Sequence, residues 1–413
     1  MITPRHCCIL LSLLFIAGKV TAASIMGPGV TGTTDHSATI RWVTNGSTDG
    51  WVEYAPEEWY LRTGSYADSV PADGDGSVHE VSLENLTPAT RYHYRVWVDN
   101  TSTPDRSFLT FPKSGPFTFI VYGDTQEQAP LYTQAERHRL VAERAGAEEN
   151  ISFLLHLGDL VCEVQSGEEW ARFFDAADPV LSRTSIYPML GNHEENASIY
   201  YDLFGLPEWY AFECGVAQFV VLDSNDWMWP RIEEQTAWLE EELEGTDAQW
   251  QFVAFHHPPY SAGMRVPRGR LDLREAWEEI FAEHGVDAVF SGHVHAYERY
   301  VMDGIQYIVA GTGGGPPYPL SANRTEGFAT AIERTIGYVR VAVGNDSVKM
   351  EFMPVALVSE DQTEIVEVYP PGTVGDTVVL NRVVPTEESA GVLYSVVLGG
   401  IILALALFVR RKG

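Results

Sequence analysis

"ISFLLHLGDLVC", residues 151–162, runs apolar through Ile151, Phe153, Leu154 and Leu155 and then breaks at Gly158-Asp159. The run reads as a strand and the break as its carboxyl end. The same pattern recurs on either side. "FTFIVYGD" (117–124) is strand-like, while "LYTQAERHRLVAERAGAEEN" (131–150) and "EEWARFFDAADPVL" (168–181) are helical. "FVVLDS" (219–224), "IEEQTAWLEEELEG" (232–245), "WQFVAFHH" (250–257), "LREAWEEIFAEHG" (273–285) and "VDAVFSGH" (286–293) continue strand and helix in turn. "IQYIVAGTGG", "GYVRVAV" and "SVKMEFM" supply further strands up to about residue 355. This alternation predicts an α/β domain over residues 113–356.

Residues 24–112 read differently. Short alternating runs, "SATIRWVTN", "GWVEYA", "VHEVSLENL" and "RYHYRVWVDN", are separated by turn-forming Gly, Asp, Asn and Pro, and no helical period appears. That predicts an antiparallel β-sandwich. The Leu86-Thr87-Pro88 turn followed by Tyr92 resembles the tyrosine corner of fibronectin type III-like domains. Aromatics at strand spacing here read as core, and no catalytic cluster shows.

The two ends carry apolar segments. Residues 1–23 have Arg5-His6, an apolar stretch from Cys7 to Ala17, and small residues near Ala22-Ala23, the layout of a secretory signal peptide. Residues 390–409 contain no charge and are followed by Arg410-Arg411-Lys412, which predicts a single transmembrane helix with a short cytoplasmic tail, 410–413, and the bulk of the chain outside the cell membrane. Residues 357–389, rich in Glu, Pro, Val and Thr, read as a stalk. Asn45, Asn85, Asn100, Asn150, Asn196, Asn323 and Asn345 lie in Asn-X-Ser/Thr sequences that permit glycosylation outside the cell. A formal net charge of −30 repels polyanions, so no nucleic-acid binding is expected.

Five strand ends break into polar residues: "GDTQ" (123–126), "GDLVC" (158–162), "GNHE" (191–194), "FHHPPY" (255–260) and "SGHVHAYER" (291–299). Ligands of α/β sheets bind at the carboxyl ends of strands, so these segments can converge. Taken singly, a Gly-Asp or Gly-Asn is also an ordinary turn. Together they offer Asp124, Asp159, Asn192, His256, His293 and His295, an oxygen and imidazole set suited to Mn, Fe or Zn. His293 and His295, two apart in extended backbone, point the same way.

The ordered set of motifs, with Val253 and His256 spaced as V-x-x-H, resembles the calcineurin-like metallophosphoesterases. Within them it is similar to the purple acid phosphatases, which carry an N-terminal fibronectin-like domain. The resemblance spans about residues 24–355 and implies layered β-sheets flanked by helices and two metal ions. It makes Asp159 the bridging ligand, places Asp124 and His295 with it on one metal, and places Asn192, His256 and His293 on the other. His193 resembles the histidine that stabilises the transition state or protonates the leaving oxygen. His257 and the loop "SAGMRVPRGR" are expected to shape the substrate pocket, with Arg265 and also Arg268 and Arg270 as phosphate contacts. Glu194 and Glu298 are candidate partners of the imidazoles, or surface acids.

The departures concern the first metal. Purple enzymes place a tyrosine three residues after the bridging aspartate and owe their colour to it; this chain has Cys162 there. Gln126 stands where those enzymes have glycine and other members a histidine ligand, so it is a candidate ligand or a neighbour of one. Cys162 is open to three readings: a metal ligand, an inert thiol, or a disulfide partner of Cys214. The expected function is hydrolysis of small phosphomonoesters by a membrane-anchored dinuclear enzyme. The alternatives are a phosphodiesterase or nucleotide hydrolase on the same site, or a non-catalytic surface adhesion or binding protein.

Overall fold

The computed structural model describes residues 25–382, apart from 47, 74–75 and 129–133. The expected signal peptide, membrane span and cytoplasmic tail lie outside the described residues, and among those described no helix is long and apolar enough to cross a membrane.

The first domain has strands β1 (Ile25–Thr31), β2 (Ala38–Thr44), β3 (Gly50–Pro56), β4 (Asp68–Pro71), β5 (Val78–Leu83), β6 (Arg91–Val98), β7 (Thr101–Ser102) and β8 (Arg106–Leu109). They form two antiparallel sheets, β1-β2-β5 and β4-β3-β6-β7, with β8 on β6. Alternate residues of β6, Tyr92, Tyr94, Val96 and Val98, are buried between them with Trp42 and Phe108. The Thr87 N–H donates to the Tyr92 hydroxyl oxygen at 2.9 Å, closing the expected tyrosine corner. One element differs from the all-strand reading. Glu57–Thr63 forms helix α1, ended by Gly64 at φ 67°, and its roughly two turns are too short to show a hydrophobic period.

The second domain stacks two seven-stranded sheets. Its strands are β9 (Phe117–Tyr122), β10 (Ile151–His156), β11 (Ser185–Pro188), β12 (Tyr210–Cys214), β13 (Ala217–Val221), β14 (Trp250–Ala254), β15 (Ala288–Ser291), β16 (Tyr297–Met302), β17 (Ile305–Ala310), β18 (Phe328–Ile332), β19 (Thr335–Val343), β20 (Ser347–Val358), β21 (Ile365–Val368) and β22 (Asp376–Asn381). One sheet runs β11-β10-β9-β19-β20-β21 with β22 beside β20, and the other β12-β13-β14-β15-β17-β16-β18. Helices α2 (Gln134–Gly146) and α3 (Gly167–Leu181) cover the first, and α5 (Ile232–Glu244) and α6 (Leu271–His284) the second; α4 (Ser198–Phe204) is a short connector.

This layering explains why β10 shows no polar alternation. Phe153 and Leu155, with Phe119 of the neighbouring β9, face Phe219, Phe252 and Phe290 of the other sheet, and Ile151 and Leu154 face Val141, Ala145 and Phe173 of the helices. A strand buried on both faces has no solvent side to make polar.

The expected stalk is corrected over most of its length. β21 and β22 pair antiparallel with β20, so the domain continues to Asn381. Asp376 accepts from Arg299 Nε at 2.7 Å and from the Tyr297 hydroxyl at 2.9 Å, which locks the segment down. Its Val-Val and Glu-Pro composition suits an edge strand as well as a linker, and only the tertiary partner decides.

Candidate metal centre

Strands β9, β10, β14 and β15 run parallel within their sheets and deliver their carboxyl ends to one edge of the domain. Each donor follows a tight turn there. Asp124, Asp159 and His293 sit at φ 60°, 53° and 65°, a left-handed conformation that non-glycine residues adopt at a cost of about 1–3 kcal/mol. The glycines of the motifs allow the turns to approach. A Cβ on Gly191 would lie 2.2 Å from Asp159 Oδ1, and one on Gly292 would lie 2.5 Å from Asp124 Oδ2.

The donor atoms sort into two groups that share Asp159. In the first, Asp124 Oδ1 lies 3.3 Å from His295 Nε2, and Gln126 Nε2 lies 3.2 Å from His295 Nε2 and 3.1 Å from Asp159 Oδ2. In the second, Asn192 Oδ1 lies 2.9 Å from His293 Nδ1 and 3.3 Å from His256 Nε2. His256 Nε2 is also 3.3 Å from both His293 Nδ1 and Asp159 Oδ2. The fold thus brings the six residues together, and among the described residues the His and Asp donors cluster as Asp124, Asp159 and His256 and as His256, His257 and His293.

The residues present fit a pair of cations. Asp124 Oδ1 and Gln126 Oε1 are buried without a hydrogen-bond partner. Burial disfavours charge on His256, but the Asp159 and Asp124 carboxylates outweigh it and raise its pKa to about 10, so the pocket attracts positive charge. Burial also opposes charge on Asp159, yet His256 and His193 hold its carboxyl well below the usual range. Each imidazole is aimed by its other nitrogen. His256 Nδ1 donates to the Leu157 carbonyl at 2.7 Å and His295 Nδ1 to the Pro316 carbonyl at 2.7 Å, which turns Nε2 of each toward the carboxylates of Asp159 and Asp124. His295 is further stacked on Tyr318 at 4.1 Å.

His193 stands at the open side. Its Nδ1 lies 2.9 Å from the Cys162 carbonyl, which turns Nε2 toward Asp159 Oδ2, 4.0 Å away. Cys162 thus enters the site through its backbone. Its thiol and that of Cys214 are both free, so the disulfide reading is not realised. Burial, then Glu169 and other carboxylates, push the Cys162 thiol up to about 11, and it belongs to neither cluster of metal-binding groups among the described residues.

His257 packs 4.5 Å from His293, with Nδ1 held 3.0 Å from Ser224 Oγ. Burial, then the His256 and His293 charges, holds it neutral. Arg265 stacks over Tyr318 at 4.1 Å and donates to its hydroxyl at 2.9 Å, so Arg265, Tyr318 and His295 form one continuous stack. Arg270 instead pairs with Asp272 and Asp226, and Arg268 is exposed.

The two glutamates are buried and accept from backbone N–H groups and hydroxyls rather than from imidazoles, a correction to the expectation. Glu194 accepts from the N–H groups of Asp159 (2.9 Å), Leu160 (2.8 Å) and Gly191 (2.7 Å), clamping two ligand-bearing turns together. Burial, then the Asp159 charge, push its pKa up to about 7. Glu298 accepts from Ser261 Oγ and Ala262 N at 2.9 and 2.7 Å and holds the start of the loop that carries Arg265.

Residues 117–297 match the calcineurin-like phosphoesterase family, and residues 28–110 match the purple acid phosphatase N-terminal domain. The chain is 27% identical over 292 residues to purple acid phosphatase 18 of Arabidopsis thaliana, a match covering 64% of each chain. It is 27% identical over 258 residues to Fe(3+)-Zn(2+) purple acid phosphatase 12 of the same plant, covering 54% of this chain and 52% of that one. It therefore spans between about half and just under two thirds of these relatives. Among solved structures, purple acid phosphatase PPD1 from yellow lupin seeds shares the fold at a TM-score of 0.69, with 18% identity, 88% of this chain and 75% of that one covered. PhoD does so at 0.67, with 14% identity and coverage of 86% and 89%. The chain thus joins a purple acid phosphatase N-terminal domain to a calcineurin-like metallophosphoesterase domain whose donor set is that of a two-metal centre.

Proposed function

We propose that the protein is an extracytoplasmic, membrane-anchored phosphatase that hydrolyses small phosphomonoesters at this two-metal centre. The observation that carries the reading is the convergence of Asp124, Asp159, Asn192, His256, His293 and His295 into two groups sharing one carboxylate, with His193 beside them. Two cations bound there supply charge neutralisation of the phosphoryl oxygens and activation of a water.

The remaining chemistry falls to side chains. Asn192 and the imidazoles fix the position of the reacting group, and only two carboxylates face it, so phosphate is not repelled. His193, aimed by the Cys162 carbonyl, gives a proton to the leaving oxygen. The stacked Arg265 offers a guanidinium to the substrate at the rim. His193→Ala is expected to lower kcat about 10²–10⁴-fold while both metals stay bound, as read by turnover and metal analysis on the same sample.

Several features support a location outside the cell. Residues 1–23 read as a signal, 390–409 as a span, and all seven Asn-X-Ser/Thr asparagines are exposed. The purified ectodomain tests the reading directly. Turnover of monoesters over diesters, with two metals per chain, is the expected result, and bound metal without turnover of any phosphoester from acid to neutral pH would overturn it.

Metal identity is expected to be Fe, Mn or Zn, without the purple colour. Cys162 occupies the tyrosine position, and Tyr318, which stacks on His295, has its hydroxyl bonded to Arg265 and its pKa pushed up to about 12 by burial. A visible spectrum alongside metal analysis checks this, and an intense tyrosinate-to-iron band would contradict it.

A further inference from the structure

The chain leaves the described fold at Arg382, and the structure fixes where that is. The Arg382 N–H donates to the Asp346 carbonyl at 2.9 Å, in the turn between β19 and β20. Its guanidinium donates to the Gln249 carbonyl at 3.1 and 2.7 Å and to Asp287 Oδ2 at 2.8 Å, and it stacks over Trp250 at 4.6 Å. Trp250 starts β14, and Gln249 and Asp287 immediately precede β14 and β15, the two strands whose far ends lead to His256 and His293. At about 3.3 Å per residue, the run from Trp250 to His256 alone separates exit from metal donors by roughly 20 Å. The exit and the site are therefore at opposite ends of the domain.

The correction to the stalk gives this placement its force. With β22 folded onto β20, what separates the domain from the uncharged segment at 390 is only residues 383–389, Val-Val-Pro-Thr-Glu-Glu-Ser. Fully extended, that tether reaches about 25 Å. Bringing the metal centre down to the headgroups would require a tether of that length to run back along the whole domain.

Resting on the membrane-anchored reading, we propose that the domain stands on the bilayer by its strand-start end, with the metal centre turned away from it. Its substrates are then phosphoesters in solution or on an opposing surface, and not the phosphorylated headgroups of the membrane that holds it. The site faces the medium, and the Arg382 end faces lipid.

Energy transfer in reconstituted vesicles tests the orientation. A donor dye is attached through an azide-bearing residue at Asn345, exposed beside the exit, or at Met264, exposed in the loop next to the Arg265 stack, with acceptor dye on the lipid headgroups. Neither label touches a cysteine or a ligand. Transfer several-fold stronger from 345 than from 264 is expected. Equal or reversed transfer in a chain that floats with the vesicles overturns the orientation alone, whereas a chain that does not float overturns the anchoring on which it rests. In the same vesicles a soluble phosphomonoester is expected to be turned over while phosphatidic acid in the bilayer is not, and hydrolysis of both at comparable rates overturns the substrate assignment.

Discussion

Asp159→Ala is expected to reduce kcat/KM by about three powers of ten and to drop the metal content below two per chain, since a lost Lewis acid removes several kcal/mol of transition-state stabilisation. The Asp159 carboxylate faces both donor groups. Asp159 Oδ2 lies 3.1 Å from Gln126 Nε2 on one side and 3.3 Å from His256 Nε2 on the other, while Oδ1 accepts the His193 N–H at 3.0 Å. Asp159→Asn separates charge from shape. It keeps an oxygen for the His193 N–H yet loses the anion, so metal is expected to fall with little change in thermal stability. Metal analysis and turnover on both variants decide the matter, and an alanine variant that retains two metals would remove Asp159 from the bridging role.

Glu194→Leu is expected to be the most damaging substitution for stability. It strands the N–H groups of Asp159, Leu160 and Gly191 in a buried site, at about 1–3 kcal/mol each. That sum exceeds the usual cost of a single substitution. Glu194→Gln is expected to recover most of the loss. Its carbonyl oxygen can take the Asp159 and Gly191 donors that now share Oε2, and only the Leu160 N–H then meets an amide NH₂. Denaturant unfolding followed by tryptophan fluorescence gives the ranking, and a leucine variant that unfolds like the parent would show that the clamp bears no stability.

Much of the centre was legible because its side-chain donors are residue types that strand ends rarely bring together by chance. Asp124, Asp159, Asn192, His256, His293 and His295 each follow an apolar run, and the topology of parallel strands does the rest. The groups that aim them were not legible. Leu157, Pro316 and Cys162 act through carbonyls, which every residue possesses, so nothing in the letters marks them. Glu194 stands two residues from Asn192, but its partners are backbone N–H groups, two of them on another turn, and sequence proximity to the imidazoles does not reveal them. Tyr318 sits in a Gly- and Pro-rich segment whose path back to His295 only the fold supplies. The same holds for residues 357–381, where β20 as partner turned an expected linker into sheet.

The contact between His193 and the carbonyl of Cys162 bears on how such a centre can change over evolutionary time. Because the imidazole is aimed by main chain, the side chain at 162 can be exchanged without disturbing the aim of His193, the proposed proton donor. One position can then gain or lose a chromophore, or a redox-tuning ligand, as a self-contained module while the hydrolytic apparatus is inherited intact.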